Sequence, residues 1–147
     1  MENSMVMDDV LQLVTFSLNQ EVYAVDILNV QEINRITEIT KVPNAANYVE
    51  GVINLRGKVI PVINLRKKFG LYDKDIDESS RIIIIEIQGV TYGLMVDSVS
   101  EVLRIPSDIV EPPPPMAASM TSSFIKGIAK LENRLIILVN IDKLMGQ

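Results

Sequence analysis

The segment Asn54–Arg66, with the sequence NLRGKVIPVINLR, determines the fold prediction for this chain. Its two β-rich runs flank Arg56-Gly57, which predicts a hairpin with a tight turn. Gly57 suits a turn residue with positive φ, because glycine has no Cβ to clash there. Pro61 interrupts the second run and predicts an edge strand or a bulge, since proline donates no ladder hydrogen bond. The apolar residues of the segment that we expect in the core are Leu55, Val59 and Leu65.

The same pattern recurs 76 residues further along the chain, where residues 48–68 match residues 124–144. A second shift, of 69 residues, relates earlier parts of the chain, so that Tyr23 meets Tyr92. The two shifts differ by about the length of an insertion at 112–118. The repeat predicts two related five-stranded units that arose by duplication.

Arg56 is not repeated, because Glu132 stands at the equivalent turn position. The turn therefore does not require an arginine, and we expect Arg56 to contact something outside its own hairpin. The basic residues around it leave two interpretations open, a solvated face or a docking surface for an acidic or polar partner. These residues are Arg56, Lys58, Arg66, Lys67 and Lys68.

The predicted fold class is mainly β, with two five-stranded barrel-like subdomains and short helices around a shared hydrophobic core. We expect approximate subdomains at 15–80 and 81–140 within one domain spanning 10–146. The polar connector 70–80 and the proline run Pro112–Pro115 are the natural crossings between them. Exchange of strands by the terminal segments is left open, because both chain ends are strongly apolar.

A short helix is predicted after the first hairpin. Ile27, Val30 and Ile33 recur at helical spacing, and Asp26 can cap the helix start. A strand is expected from Ile36 to Ile39 after this helix. At the other end of the chain, residues 142–145 predict one more short helical segment.

Composition excludes most catalytic chemistry. The chain of 147 residues has no Cys and no His, which removes thiolate nucleophiles, disulfides, Cys/His zinc sites and imidazole catalysis. The net charge of −5 argues against general nucleic-acid binding. Residues 73–77 have the spacing of a calcium loop, but Glu78 and Ile84 stand where such a loop needs Gly and Glu. We expect no enzyme activity, no metal and no cofactor.

Three motifs together give a family resemblance: YAVDILNVQEI at 23–33, NLRGKVIPVINLRKKFG at 54–70 and GIAKLENRLIILVNIDKL at 127–144. Over about residues 10–146 the chain resembles the CheW family of bacterial chemotaxis coupling proteins. The resemblance implies two SH3-like barrels. It also implies a non-enzymatic adaptor between the cytoplasmic tips of chemoreceptors and the regulatory domain of the histidine kinase CheA. Such a protein would be a cytoplasmic monomer when isolated, without membrane insertion, and would join receptor arrays through its partners.

The resemblance also implies site residues. Receptor contacts fall on Ile27, Val30, Glu32, Ile33, Arg56, Val99 and Val102. Kinase contacts fall on Val42, Pro43 and Lys58, while Gly51, Gly57 and Gly93 are turn or shape-determining positions. The alternative function is a small-molecule or regulatory binding module of another two-component pathway. The apolar character of the receptor residues argues against a polar metabolite.

Overall fold

The computed structural model describes residues 9–113 and 124–146, so Pro114 and Pro115 of the proline run lie outside the described residues. Two short α-helices and two 3₁₀ turns accompany the strands in this part of the chain. The helices are α1 (Leu65–Lys68) and α2 (Ile141–Leu144), and the 3₁₀ turns are Ile27–Asn29 and Ser107–Ile109. The strands are β1 (Val10–Leu18), β2 (Glu21–Asp26), β3 (Val30–Arg35), β4 (Val49–Leu55), β5 (Lys58–Asn64), β6 (Arg81–Ile87), β7 (Val90–Val96), β8 (Ser98–Pro106), β9 (Val110–Glu111), β10 (Ile125–Leu131) and β11 (Arg134–Val139).

The strands form two sheets, and the predicted mainly β fold class with two β subdomains is confirmed. The first sheet has the order β3-β6-β7-β5-β4, and the second has the order β8-β1-β2-β11-β10-β9. The second sheet has one strand more than expected, the two-residue β9. In the first sheet the place of β9 is taken by an isolated bridge between Thr40 and Val52.

The sheets do not divide the chain at residue 80. The hairpin β1–β2 pairs with β8 and β11, and the hairpin β6–β7 pairs with β3 and β5. Each sequence repeat therefore contributes its leading hairpin to the other repeat's sheet. The junctions are the parallel pairs β2·β11 and β5·β7. A repeat in sequence cannot show this exchange, because a hairpin's free edge can pair with either unit.

Close backbone contact fixes the edge of the first sheet. The Thr40 N–H donates to Val52 O at 2.9 Å, and the Val52 N–H donates to Thr40 O at 2.8 Å. Gly51 lies beside this bridge with φ +151°, and a Cβ there would stand 2.3 Å from Thr40 O. The segment after β3 thus reaches the free edge of β4, and this close approach requires glycine at residue 51.

The hydrophobic core has three parts. A central cluster between the two sheets includes Phe16, Leu65 and Ile83, and each sheet also encloses a smaller cluster of its own. The shared core is therefore present. Val59, which we expected in the core, is 70% exposed, whereas its neighbour Ile60 is buried.

The predicted helix over residues 26–33 is largely wrong. Asp26 does cap a helical start, since its carboxylate accepts a hydrogen bond from the Leu28 N–H at 2.9 Å. The helix ends after the single 3₁₀ turn Ile27–Asn29, and β3 begins at Val30 instead of the expected Ile36. β-Branched residues favour strands, and pairing with β6 is available here. The helical end predicted near residue 142 is present as α2.

Candidate partner-binding site

The predicted receptor-contact residues divide into a buried and an exposed group. Ile27, Val30 and Val99 are half-buried and pack against the central core. Ile27 lies in the 3₁₀ turn that contacts both β1 and β6, where the two sheets meet. Substitution of any of these three residues would therefore disturb the packing of the central core as well as a contact with a partner.

Ile33 and Val102 are the exposed members. Ile33 lies on β3 and Val102 on β8, which are edge strands of the first and the second sheet. Val102 is 54% exposed although it is large and apolar. We call the apolar set Ile27, Val30, Ile33, Val99 and Val102 the edge-strand surface.

An ion pair on the first sheet joins two further predicted residues. The Arg56 guanidinium pairs with the Glu32 carboxylate, with Nη1 at 3.4 Å from Oε1 and a second contact from Nη2 to Oε2. The Arg56 side chain is 70% exposed and that of Glu32 27%. The hydrogen bond from Arg56 holds the pKa of Glu32 below its ordinary value, and the same bond raises the pKa of Arg56. Both groups are therefore charged at neutral pH.

The second sheet carries a counterpart of this ion pair. Arg134 Nη2 lies 2.9 Å from Glu101 Oε2. Glu101 is the repeat equivalent of Glu32, whereas Arg134 is the equivalent of Lys58. Both sheets therefore carry an Arg–Glu ion pair, and in the second sheet the arginine stands two residues later than the position equivalent to Arg56. Arg56 does contact a group outside its hairpin, as expected, but that group belongs to its own chain.

The turn places Arg56 in an unfavourable backbone conformation. Arg56 has φ +50° and Gly57 has φ +86°, and the equivalent Glu132 has φ +50°. Two successive positive φ values define a type I′ hairpin turn, which favours Asn, Asp or Gly at its first position. The Gly57 N–H donates to Asn54 Oδ1 at 2.9 Å, which supports the turn. An arginine in this left-handed conformation is unfavourable for the backbone.

The predicted kinase-contact residues are exposed but lie at two separate places on the first sheet. Val42 and Pro43 are exposed and closely follow the Thr40 bridge on β4. Lys58 begins β5 and is also exposed, and beside it lies the exposed Val59. Sequence reasoning missed Val59 as a surface residue because Lys58–Val62 can be read with either face of the strand inward.

Most of the basic stretch is engaged within the protein. Arg66 Nε and Nη2 donate to the Asp97 carboxylate at 2.8 and 2.7 Å, and both side chains are largely buried. Lys67 Nζ lies 3.6 Å from Asp73 Oδ2, and Lys68 Nζ lies over the Tyr48 ring. Among the basic residues of this stretch, Arg56 and Lys58 are thus the exposed ones.

Asp97 connects the two sheets. It follows β7 of the first sheet and also accepts a hydrogen bond from the Asn19 N–H of the β1–β2 turn at 2.9 Å. Burial alone would raise the pKa of Asp97. The hydrogen bonds from Arg66 and Asn19 and the Arg66 charge outweigh burial, so that the pKa lies below its ordinary value. No sequence motif indicated this pair.

Gly93 is the third shape-determining position in the prediction. It lies in β7 between β6 and β5, and a Cβ there would stand 2.8 Å from Ile82 Cγ2. Close packing inside the first sheet therefore requires glycine. Across residues 9–113 and 124–146, no helix is long and apolar enough to cross a membrane. The same residues contain no group of three acidic side chains that could hold a metal ion.

These features define the class of the protein: a two-sheet β module with exposed apolar and charged side chains at its sheet edges. The CheW-like domain family model matches residues 12–147, and the chain belongs to that family. The chain is a chemotaxis adaptor rather than an enzyme.

Relatives of known name support the assignment. A chemotaxis protein CheW of Klebsiella aerogenes is 35% identical over 135 residues, covering 92% of this chain and 81% of the relative. A chemotaxis protein CheW of Treponema pallidum is 32% identical, covering 96% and 85%. The crystal structure of the scaffolding protein TtCheW from Thermoanaerobacter tengcongensis is 43% identical, with a TM-score of 0.85 and coverage of 93% and 88%.

Proposed function

We propose that this protein couples the cytoplasmic tips of chemoreceptors to the regulatory domain of the histidine kinase CheA. It is cytoplasmic and joins receptor arrays through these partners. The observation that carries the proposal is the edge-strand surface, where the exposed Ile33 and Val102 lie on edge strands of the two sheets. Glu32, which pairs with Arg56 of the β4–β5 turn, is the neighbour of Ile33 on β3. Exposed apolar surface of this kind marks interaction sites on soluble proteins.

A helical receptor tip suits the edge-strand surface. An amphipathic helix buries its apolar residues in a groove, and a partly exposed ion pair at the rim selects its register. Val102 and Ile33 supply apolar contacts from the two sheets. The Arg56 side chain stays largely exposed while it is paired with Glu32, so its guanidinium can still donate hydrogen bonds to an acidic group of the receptor.

The kinase contacts other residues of the first sheet in this proposal. Val42, Pro43 and Lys58 are exposed near β4 and the start of β5, and the exposed Val59 lies beside Lys58. The receptor and kinase sets share no residue, and an adaptor that binds both partners at once requires this.

Separate calorimetric titrations with a receptor-tip fragment and with the kinase regulatory domain test the proposal. We expect both to bind. Arg56→Glu should weaken the receptor titration alone, and Lys58→Glu should weaken the kinase titration alone. Binding of neither partner, or loss of both through either variant, would contradict the assignment of two separate sets of residues.

A further inference from the structure

A polar cavity at one end of the second sheet has no equivalent opening in the first. It has a volume of about 180 Å³ and lies beside β1, the ends of β2 and β11, and the start of α2. The corresponding place in the first sheet retains only about 10 Å³, room for about one water molecule. There the connector 70–80 supplies several of the lining residues.

The first sheet shows what chemistry this place accommodates. Asn64 Nδ2 donates to Asp73 Oδ1 at 3.1 Å and to Glu50 Oε1 at 3.0 Å. Lys67 Nζ lies 3.6 Å from the Asp73 carboxylate. Burial would raise the pKa of Asp73, but hydrogen bonds from the Lys74 N–H and from Asn64, with the Lys67 charge, hold it below its ordinary value. A carboxylate on an extended segment is thus bound by one amide and one lysine.

The second sheet keeps these donors. Asn140 and Lys143 are the repeat equivalents of Asn64 and Lys67. Asn140 Oδ1 accepts a hydrogen bond from the Lys143 N–H at 3.1 Å, just as Asn64 Oδ1 accepts one from the Lys67 N–H at 3.2 Å. The two asparagine amides therefore share one orientation, which leaves Nδ2 as the outward donor in each.

In the second sheet a lysine stands where the first sheet has Glu50 beside the asparagine amide. Lys126 occupies the bulge position of β10 that Glu50 occupies in β4, and it lines the cavity with Asn140. Within the described part of the chain, neither Lys126 nor Lys143 forms an ion pair, and Asn140 Nδ2 has no acceptor. Asn140 and Lys143 thus stand without the carboxylate that Asn64 and Lys67 bind, and Lys126 adds a positive charge where the first sheet has Glu50.

We propose that this cavity binds an acidic side chain on an extended segment of a partner protein, through Asn140 and Lys126, which line it, and through Lys143 outside the lining, the counterpart of Lys67. Charge-assisted hydrogen bonds to a carboxylate are the strong ones among such contacts, and the cavity is large enough for a side chain. Asp26 and Asp142 also line the cavity. They repel a polyanion and favour a segment in which a basic residue accompanies the acid, as Lys74 accompanies Asp73 in the connector.

The connector itself supplies the probe. We would titrate a synthetic peptide of residues 70–74, GLYDK, with both ends blocked so that Asp73 is its one carboxylate, into the full chain and follow the Asn140 side-chain amide by NMR. A peptide carrying Asp73→Asn is the matched ligand. We expect saturable shifts with a dissociation constant on the order of 1 mM, because only one or two charged contacts form. The Asp73→Asn peptide should bind at least about threefold more weakly.

Protein variants then assign the contacts. Lys126→Gln and Lys143→Gln should each weaken binding at least about threefold, whereas Lys130→Gln on the same strand β10 should leave it unchanged. Equal binding of both peptides, or no saturable shift at Asn140, would overturn the proposal. Binding that appears only after deletion of residues 1–8 would overturn it as well, since the chain's own tail would then be the occupant.

Discussion

The Arg56 guanidinium pairs with the Glu32 carboxylate, and this contact joins the β4–β5 turn to β3, the strand at the opposite edge of the same sheet. The second sheet forms the equivalent pair from Glu101 and Arg134. Exposed ion pairs contribute little to stability, because water and salt screen them. The recurrence of the pair on both sheets therefore suggests a role at surfaces rather than in folding.

Arg56→Glu should weaken receptor-tip binding at least about tenfold while the melting temperature changes by less than about 2 °C. The substitution places two carboxylates together at the proposed contact, yet the side chain is 70% exposed and packs in no core. Calorimetry with a receptor fragment and thermal unfolding measure the two effects. Arg134→Glu is the matched control, because it breaks the counterpart pair on the other sheet and should leave receptor binding intact. A large loss of stability in the Arg56 variant would make the pair structural.

Val102→Asp should abolish most receptor binding with little loss of stability. Val102 is 54% exposed on an edge strand, so the new carboxylate stays hydrated in the free protein and is buried only in the complex. Leu135→Asp is the control, since Leu135 is similarly exposed, at 58%, but lies outside the edge-strand surface. Equal effects of the two variants on receptor binding would contradict the proposed surface.

Val30→Asp should lower stability as well as binding. Val30 is half-buried against the central core and pairs with Ile85 across β3–β6, so a carboxylate there loses packing and hydration. We expect a loss of about 2 kcal/mol in the free energy of unfolding. Denaturant unfolding measures it, with Ile33→Asp as a more exposed comparison on the same strand. An unchanged denaturation midpoint for Val30→Asp would show that this residue belongs to the surface alone.

Gly51→Ala should destabilise the first sheet by about 2–4 kcal/mol, because the new Cβ would collide with the Thr40 carbonyl. The melting temperature should fall by about 5–10 °C. Gly57→Ala is the control: its φ is also positive, but the space around a Cβ there is open, so the cost should be about 1 kcal/mol. Equal melting temperatures of the two variants would refute the proposed role of the Thr40 contact.

Acid should weaken the connection between the sheets. The folded-state pKa of Asp97 is depressed, so the unfolded chain binds this proton more readily. The stabilising contribution is therefore complete above the ordinary carboxyl pKa of about 3.9 and is lost as pH falls through the lower folded value. Asp97→Asn should cost about 1.5–3 kcal/mol at pH 7 and less below pH 4, which urea unfolding at several pH values measures. A constant difference between the variant and the parent protein across this range would contradict the assignment.

Apolar periodicity and turn residues predicted the fold class, the shared core and the short helical end near residue 142, because these features depend on local sequence. Exchange of the hairpins β1–β2 and β6–β7 required the structure, since it depends on which free edges meet. Periodicity also misplaced Val59 and the helix at Ile27. For Val59, the alternation of residues along β5 is compatible with either face of the strand turned toward the core. For the residues after Ile27, pairing of β3 with β6 competes with a helix.

The candidate site was predictable only in part. The family resemblance gave the residues, and the structure shows that Ile27, Val30 and Val99 support the core while Ile33, Val102 and Arg56 face outward. The ion pair itself could not be predicted, because residues 24 positions apart meet through the curvature of a sheet. Arg66 looked like part of a basic surface until its buried partner was known.

The most direct test of the adaptor function is a three-component pull-down, in which an immobilised receptor-tip fragment captures the kinase regulatory domain with and without this protein. We expect the kinase domain to be retained only when the protein is present, and to be lost with either Val102→Asp or Lys58→Glu. Retention of the kinase domain without the protein, or failure of the parent protein to bridge the two partners, would contradict the account.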